Sequence, residues 1–299
     1  MSICAPHKKH DNKNNTCFSL DQLIEMSKAY NVYITKNRLN PNNTRVYDKA
    51  NLISIRKDKP YLLNEIKKRF ETVCKGDEYC ITQQAFMNEI VDEMRNDITE
   101  HTFRTEGPSG SNEWLSTKNI DGIMKQYERK YPNFKFLGAV PSNCDEVSFC
   151  SLHNINFKNF NENGINYLGI IFNHDKYGQP GSHWVSMFID INNGKLYYCD
   201  SAGKGPIGNI NNIINKFDNY YKNKTGRNII YKFNNKQYQK DSSECGVYSC
   251  NFLIRILAGE SFEDIVNNPL TFPQINSCRN VYFRNKNSKY SPNKICDPK

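Results

Sequence analysis

The sequence predicts an α+β (mixed α/β) fold carried behind a helical N-terminal region. Three observations support this. Before residue 104 the apolar residues keep helical spacing and no strand-like run appears. The stretch 104–112, RTEGPSGSN, is a linker by composition. Beyond it, short β-branched and aromatic runs alternate with helical periodicity, the pattern of a mixed sheet-and-helix domain.

In chain order, residues 1–17 are polar and read as a disordered N-terminus. Ser19-Leu20-Asp21-Gln22 forms a capping box that opens a short helix through about Ala29. Asn- and Pro-containing sequence then runs to about Lys59. Leu62, Ile66 and Phe70 keep helical spacing, as do Phe86, Ile90 and Met94, which predicts two more helices. With the boundary in the linker, 18–110 is a helical N-terminal region, 111–285 a second domain and 286–299 a polar C-terminal tail. Trp114 to Tyr131 reads as a helix entered through Ser116, with Ile120, Ile123, Met124 and Tyr127 on one face. NYLGIIF at 166–172, HWVSMFID at 183–190 and LYYCD at 196–200 read as strands. A helix from about Ile207 to Tyr221, a strand at 229–233 and a buried apolar helix from Cys245 to Ala258, stopped by Gly259, complete the domain. There is no internal repeat.

The 299 residues suffice for one large domain or two smaller ones. No run approaches the roughly 18 apolar residues of a membrane helix, and MSICAPHKKHDNKNN lacks the apolar stretch of a signal peptide. A soluble, non-secreted protein with no membrane partner is expected. The net charge of +9 comes from 40 Lys+Arg against 31 Asp+Glu. These basic residues are dispersed, so they read as solvated surface, with attraction to nucleic acid or an acidic partner as the subordinate reading. Asn- and Lys-rich runs such as NPNN, NINNIIN and NNK lower the mean hydropathy to −0.73 and read as surface and loops. The cysteine count is eleven. Without a signal peptide these are expected to be reduced thiols, mostly small buried hydrophobes.

Cys4, His7, His10 and Cys17 could supply zinc ligands, but their C-x2-H-x2-H-x6-C spacing fits no tight knuckle, so no metal site is expected. Cys74/Cys80 and Cys144/Cys150 are each C-x5-C, which suits neither a redox pair nor a zinc ribbon, and they read as packing thiols or chance. Cys245 differs. It follows the polar loop QKDSSE and opens an apolar helix, where unpaired N–H groups and the helix dipole favour a thiolate. Gly246 behind it would let another chain approach closely. A thiol nucleophile needs a base and a group to orient that base. Among six histidines, His183 opens the clearest strand, and Asp200 ends the next one. If those strands are neighbours, His183 and Asp200 meet at one sheet edge in the geometry of a Cys/His/Asp triad.

GSHWVSMFID, YYCDS and QKDSSECGVY resemble the catalytic blocks of the ubiquitin-like-protein (SUMO) protease and adenovirus-proteinase superfamily. That pattern is His-Trp, then Asp or Asn, then Gln six residues before Cys-Gly; here it falls on His183-Trp184, Asp200, Gln239 and Cys245-Gly246. NEWLSTKNIDGIM at 112–124 is similar to the family's Trp-Leu-led helix. FKFLGAVP, YLGIIFN, RNVYF and CKGDEYCITQQAF look like the branch found in large cytoplasmic DNA viruses. The resemblance spans roughly 70–285. It implies a papain-like cysteine protease fold in permuted order, with Cys245 as nucleophile, His183 as base and Asp200 as its orienter. Gln239 and the Cys245 N–H would form the oxyanion hole. Trp114, Trp184 and Gly246 would bind substrate. No metal or organic cofactor is implied. The implied activity is thiol endopeptidase cleavage of viral structural precursors during virion maturation, after Gly-containing sites, in the virion and host cytoplasm. The alternatives are a deconjugase that removes a ubiquitin-like modifier and a non-catalytic docking module; the intact set of four site residues disfavours the latter. Glu244 departs from the Asp that cellular members usually place before the Cys, which puts the substrate-side surface in question.

Overall fold

The apolar spacing of the N-terminal region resolves into helices wrapped round their own core. The structure is a computed structural model, which describes residues 4–8, 11, 13–38, 52–110, 112–240, 243–284 and 294–298. The chain divides into two units, Met1–Arg104 and Thr105–Lys299. This boundary lies at the start of the linker, not at its end. Thr105 bridges to Phe283, its carbonyl accepts from the Arg284 N–H at 2.9 Å, and Gly107 lies against the Phe283 ring, so the linker belongs to the second unit.

The first unit contains α1 (Leu20–Arg38), α2 (Lys59–Arg69), α3 (Glu71–Cys74), α4 (Glu78–Thr82) and α5 (Asp92–His101). Ser19 and Gln22 make the predicted capping box, with both reciprocal bonds present. The helix then runs well past Ala29. Asn31, a residue type that usually signals loops, instead clamps the Ile53 backbone, accepting from its N–H and donating to its carbonyl. The spacing of Phe86, Ile90 and Met94 does not mark one helix. Ala85–Glu89 is a 3₁₀ turn, and the chain extends at Ile90 before α5 begins.

The cysteine and N-terminal expectations are overturned. Cys4 pairs with Cys17, Cys74 with Cys80, Cys144 with Cys150 and Cys278 with Cys296 in disulfides, leaving Cys199, Cys245 and Cys250 as thiols. The C-x5-C spacing closes because the chain doubles back. Lys75 and Gly76 both take left-handed conformations, bringing the Cys74 and Cys80 Cα atoms within 5.4 Å. The segment before residue 18 is packed where it is described. Cys4, Ala5, Thr16 and Cys17 are buried, and the buried Glu78 carboxylate accepts from the Thr16 hydroxyl and the Cys17 N–H. With Cys4 and Cys17 bonded to each other, neither thiolate can ligate zinc; His10 lies outside the described residues.

The second unit is built on a five-stranded sheet in the order β1-β2-β3-β4-β5. Its strands are β1 (Phe134–Pro141), β2 (Tyr167–Asn173), β3 (Trp184–Asp190), β4 (Lys195–Cys199) and β5 (Ile230–Phe233). The central strands β2, β3 and β4 are antiparallel neighbours, while β1 and β5 join the edges in parallel. The helices are α6 (Thr117–Lys130), α7 (Phe157–Glu162), α8 (Ile210–Thr225), α9 (Cys245–Leu257), α10 (Phe262–Asn267), α11 (Phe272–Ser277) and α12 (Arg279–Tyr282). Strand β3 is buried along its whole length because both faces are covered. Trp184 and Phe188 face the cluster that includes α6 and α9, whereas Val185, Met187 and Ile189 face the cluster that includes α7 and α8. The 286–299 tail is not simply polar: Cys296 is fully buried and tied to Cys278. Among the described residues, no helix is long and apolar enough to cross a membrane.

Candidate active site

Alternation along β3 and β4 fixes where the chemistry gathers. The two strands pair antiparallel with Ser186 opposite Cys199, so the start of β3 and the end of β4 lie at the same sheet edge. His183 immediately precedes β3 and Asp200 immediately follows β4. Their side chains meet: His183 Nε2 lies 2.6 Å from Asp200 Oδ1. Cys245 is the ring's other polar neighbour, and its hydrogen bond and charge both favour the protonated imidazole. Cys245 is the first residue of α9, the helix-start position that its place after the polar loop predicts. Helix α9 packs across β3, which brings the three side chains together.

Burial alone would discharge the His183 ring. The hydrogen bonds to Asp200 and Cys245, and the attraction of both groups, outweigh that and raise its pKa to about 9. Burial likewise opposes charge on Asp200. The hydrogen bond from His183 and that from the Ala202 N–H, at 2.8 Å to Oδ1, prevail and hold its pKa below the usual carboxylate value. A second imidazole, His174, sits edge-on to His183 with ring centroids 5.0 Å apart, and its backbone N–H donates to the His183 carbonyl. Burial and the nearby His183 push the His174 pKa down.

Gln239 is buried, and its carboxamide oxygen accepts from the Ser201 hydroxyl. Trp114 and Trp184 both line a cleft of about 350 Å³, together with the 175–181 segment of the loop between β2 and β3. They are not equivalent. Trp184 is 7% exposed with its indole N–H donating to the Leu115 carbonyl, whereas Trp114 is 50% exposed. Gly246 permits a close approach, but an internal one. A Cβ there would come within 3.0 Å of the Leu115 Cβ and 3.3 Å of Trp184 Cδ1. Its small size therefore serves the seating of α9 against Leu115 and Trp184.

Glu244 does not form a substrate-side surface. It is fully buried in an ion pair with the fully buried Arg279 of α12. Arg279 also donates to the Ser243 carbonyl. Sequence reasoning missed Arg279, and also Asn234, which grips the Asp200 backbone from both sides. Its carboxamide oxygen accepts from the Asp200 N–H at 2.7 Å, and its amide donates to the Asp200 carbonyl at 2.6 Å. The local sequence offers little signal for Asn234, which lies in one of the Asn runs read as surface. Ser201 was legible only as the residue beside Asp200.

Comparison with known proteins bears on the family of the chain. Residues 90–290 match the Ulp1 protease family, C-terminal catalytic domain. A protein of Acanthamoeba polyphaga mimivirus named as a thiol protease is 61% identical over 298 residues, covering 100% of this chain and 98% of its own. A cysteine protease of African swine fever virus is 22% identical over 248 residues, covering 74% and 88%. The crystal structure of an African swine fever virus protease superposes with a TM-score of 0.60 at 17% identity, over 94% of this chain and 97% of that one. With its relatives in large DNA viruses and a family match running through the whole Cys–His–Asp cluster, this chain belongs to the Ulp1 protease family and is a cysteine peptidase.

Proposed function

We propose that Cys245, His183 and Asp200 act as the catalytic triad of an endopeptidase that matures viral structural precursors by cutting after Gly-containing sites. The observation that carries the triad is the hydrogen-bonded line Asp200–His183–Cys245, with 2.6 Å between the carboxylate and the ring. Cys245 Sγ attacks the scissile carbonyl carbon, and the C=O electron pair moves onto oxygen. His183 already carries the proton given up by the thiol, and it delivers that proton to the leaving amine nitrogen as the C–N bond breaks. Water then attacks the thioester, giving up a proton to His183, and the acid product leaves as the thiol is restored. Asp200 keeps the ring in one tautomer and stabilises its protonated form. Gln239 Nε2 and the Cys245 N–H receive the developing oxyanion.

The alkaline limb of kcat/KM reports His183. An imidazole with its pKa raised to about 9 keeps the proton it must donate below that pH and loses it above. Activity is expected to fall as pH rises through about 9. Asp200→Asn removes a negative charge that holds the proton on the ring, so the limb should move to lower pH by roughly one to three pH units. A pH–rate profile with a fluorogenic peptide reads both values, and an unmoved limb in the variant would separate Asp200 from the triad.

The substrate assignment is supported by the two indoles in the cleft and by the viral sources of the relatives. A backbone running between Trp114 and the fixed Trp184 has least room for a Cβ, which favours glycine. Some African swine fever virus relatives are named SUMO-1 cysteine proteases, which keeps deconjugation as the second reading. One experiment serves both. Viral structural precursors, a Gly-Gly-ended modifier conjugate and a peptide library are incubated with the enzyme, and the new N-termini are sequenced. Cleavage of precursors with Gly enriched just before the cut is expected, and Trp114→Ala should relax that preference in folded enzyme. Efficient cleavage of the conjugate alone would select deconjugation, and a library without Gly enrichment would sink the slot.

A further inference from the structure

We propose that Ser201 is the positioning residue of the oxyanion hole: its hydroxyl fixes the Gln239 carboxamide so that the amide end faces the reacting carbonyl. This rests on Gln239 acting as the oxyanion donor. Ser201 follows Asp200 in the turn after β4, closed by the Gly203 N–H donating to the Asp200 carbonyl at 2.8 Å. Asp200 turns toward His183, and Ser201 toward Gln239. The Ser201 hydroxyl donates to Gln239 Oε1 at 2.5 Å, and its carbonyl accepts from the N–H groups of both Tyr238 and Gln239, each at 3.0 Å. Ser201 is 3% exposed and Gln239 8%, so water has little access to replace these bonds.

The physical requirement is specific. A glutamine carboxamide carries an acceptor at one end and donors at the other, and rotation about its terminal torsion exchanges them at little cost. With Oε1 toward the substrate, a lone pair would face the developing negative charge and catalysis would suffer. A hydroxyl donating to Oε1 holds the acceptor end away from the substrate. It also polarises the amide, so Ser O–H to Gln C=O and Gln N–H to oxyanion strengthen one another as charge builds. The same dipeptide thus orders both halves of the machinery, since Asn234 grips the Asp200 backbone one residue earlier.

Four enzymes test this: wild type, Ser201→Ala, Gln239→Ala and the double variant. Ser201→Ala should lower kcat by roughly tenfold with KM within about twofold, while Gln239→Ala lowers kcat by roughly 10²–10³. In the Gln239→Ala background, Ser201→Ala should cost nothing further, because the group it orients is gone. Alkylation of Cys245 by iodoacetamide passes through no oxyanion, so its rate in Ser201→Ala should equal that of the wild type; it also reports that the variant is folded. Equal kcat losses from Ser201→Ala in both backgrounds, or a parallel fall in alkylation, would overturn the positioning role. A wild-type kcat in Gln239→Ala would instead remove the oxyanion assignment itself.

Discussion

Replacing Cys245 by alanine abolishes peptide hydrolysis and leaves the fold in place. The substitution deletes one sulfur atom at the first position of α9, where alanine is an excellent helix former, so the structural cost is small. The chemical cost is nearly the whole rate enhancement, because groups that act as a unit fail together, with losses of roughly 10⁴–10⁶ in kcat. His183→Ala should be about as damaging, and the double variant little worse than either single. No other thiol can substitute. Burial pushes the Cys199 pKa up to about 12, and burial also pushes the Cys250 thiol up, so neither supplies thiolate near neutral pH. Cys245→Ala should also lower the His183 pKa from about 9, since Cys245 contributes to raising it. An NMR titration of the His183 ring checks that in the same sample. Hydrolysis surviving in the variant, with the fold verified by melting, would move the nucleophile elsewhere.

The legible parts of this site are those set by short-range rules. A cysteine that opens an apolar helix after a polar loop can be placed at a helix N-terminus from its neighbours alone. A histidine and an aspartate at the two ends of a strand pair need only the antiparallel register to meet, and β3 and β4 supply it. The second unit's strands were readable for the same reason, with one exception. Strand β1 was missed as a strand because its pairing with β2 shifts register between Phe136 and Ala139, at a positive-φ Gly138, and this breaks the alternation that marks a strand. What the sequence hid is long-range pairing. Asn234 looks like any other asparagine until the fold carries it to the Asp200 backbone. The disulfides depend on turns such as the left-handed Lys75–Gly76 pair and on contacts as distant as Cys278 with Cys296.

Arg279→Ala should be the most destabilising single change in the second unit outside the apolar core, for a reason that also touches the nucleophile. Glu244 and Arg279 are both 0% exposed, and the guanidinium reaches both carboxylate oxygens through bonds of 3.1–3.2 Å. Removing the arginine leaves a carboxylate buried without its counter-charge, a loss of roughly 3–5 kcal/mol. It also releases the Ser243 carbonyl, which Arg279 holds two residues before Cys245. The expected result is a lower midpoint in chemical denaturation, with reduced kcat in whatever remains folded. A charge-free pair, Glu244→Gln with Arg279→Met, keeps the volume while removing both ions, and should recover most of the lost stability because a buried ion pair contributes little net stability over apolar packing. If Arg279→Ala costs less than about 1 kcal/mol, the magnitude of an exposed pair, then water reaches Glu244 and the nucleophile loop is anchored elsewhere. If instead the charge-free double variant is as unstable as Arg279→Ala, the geometry of the Arg279 hydrogen bonds to Ser243 and Glu244, and not the unpaired charge, is what seats the start of α9.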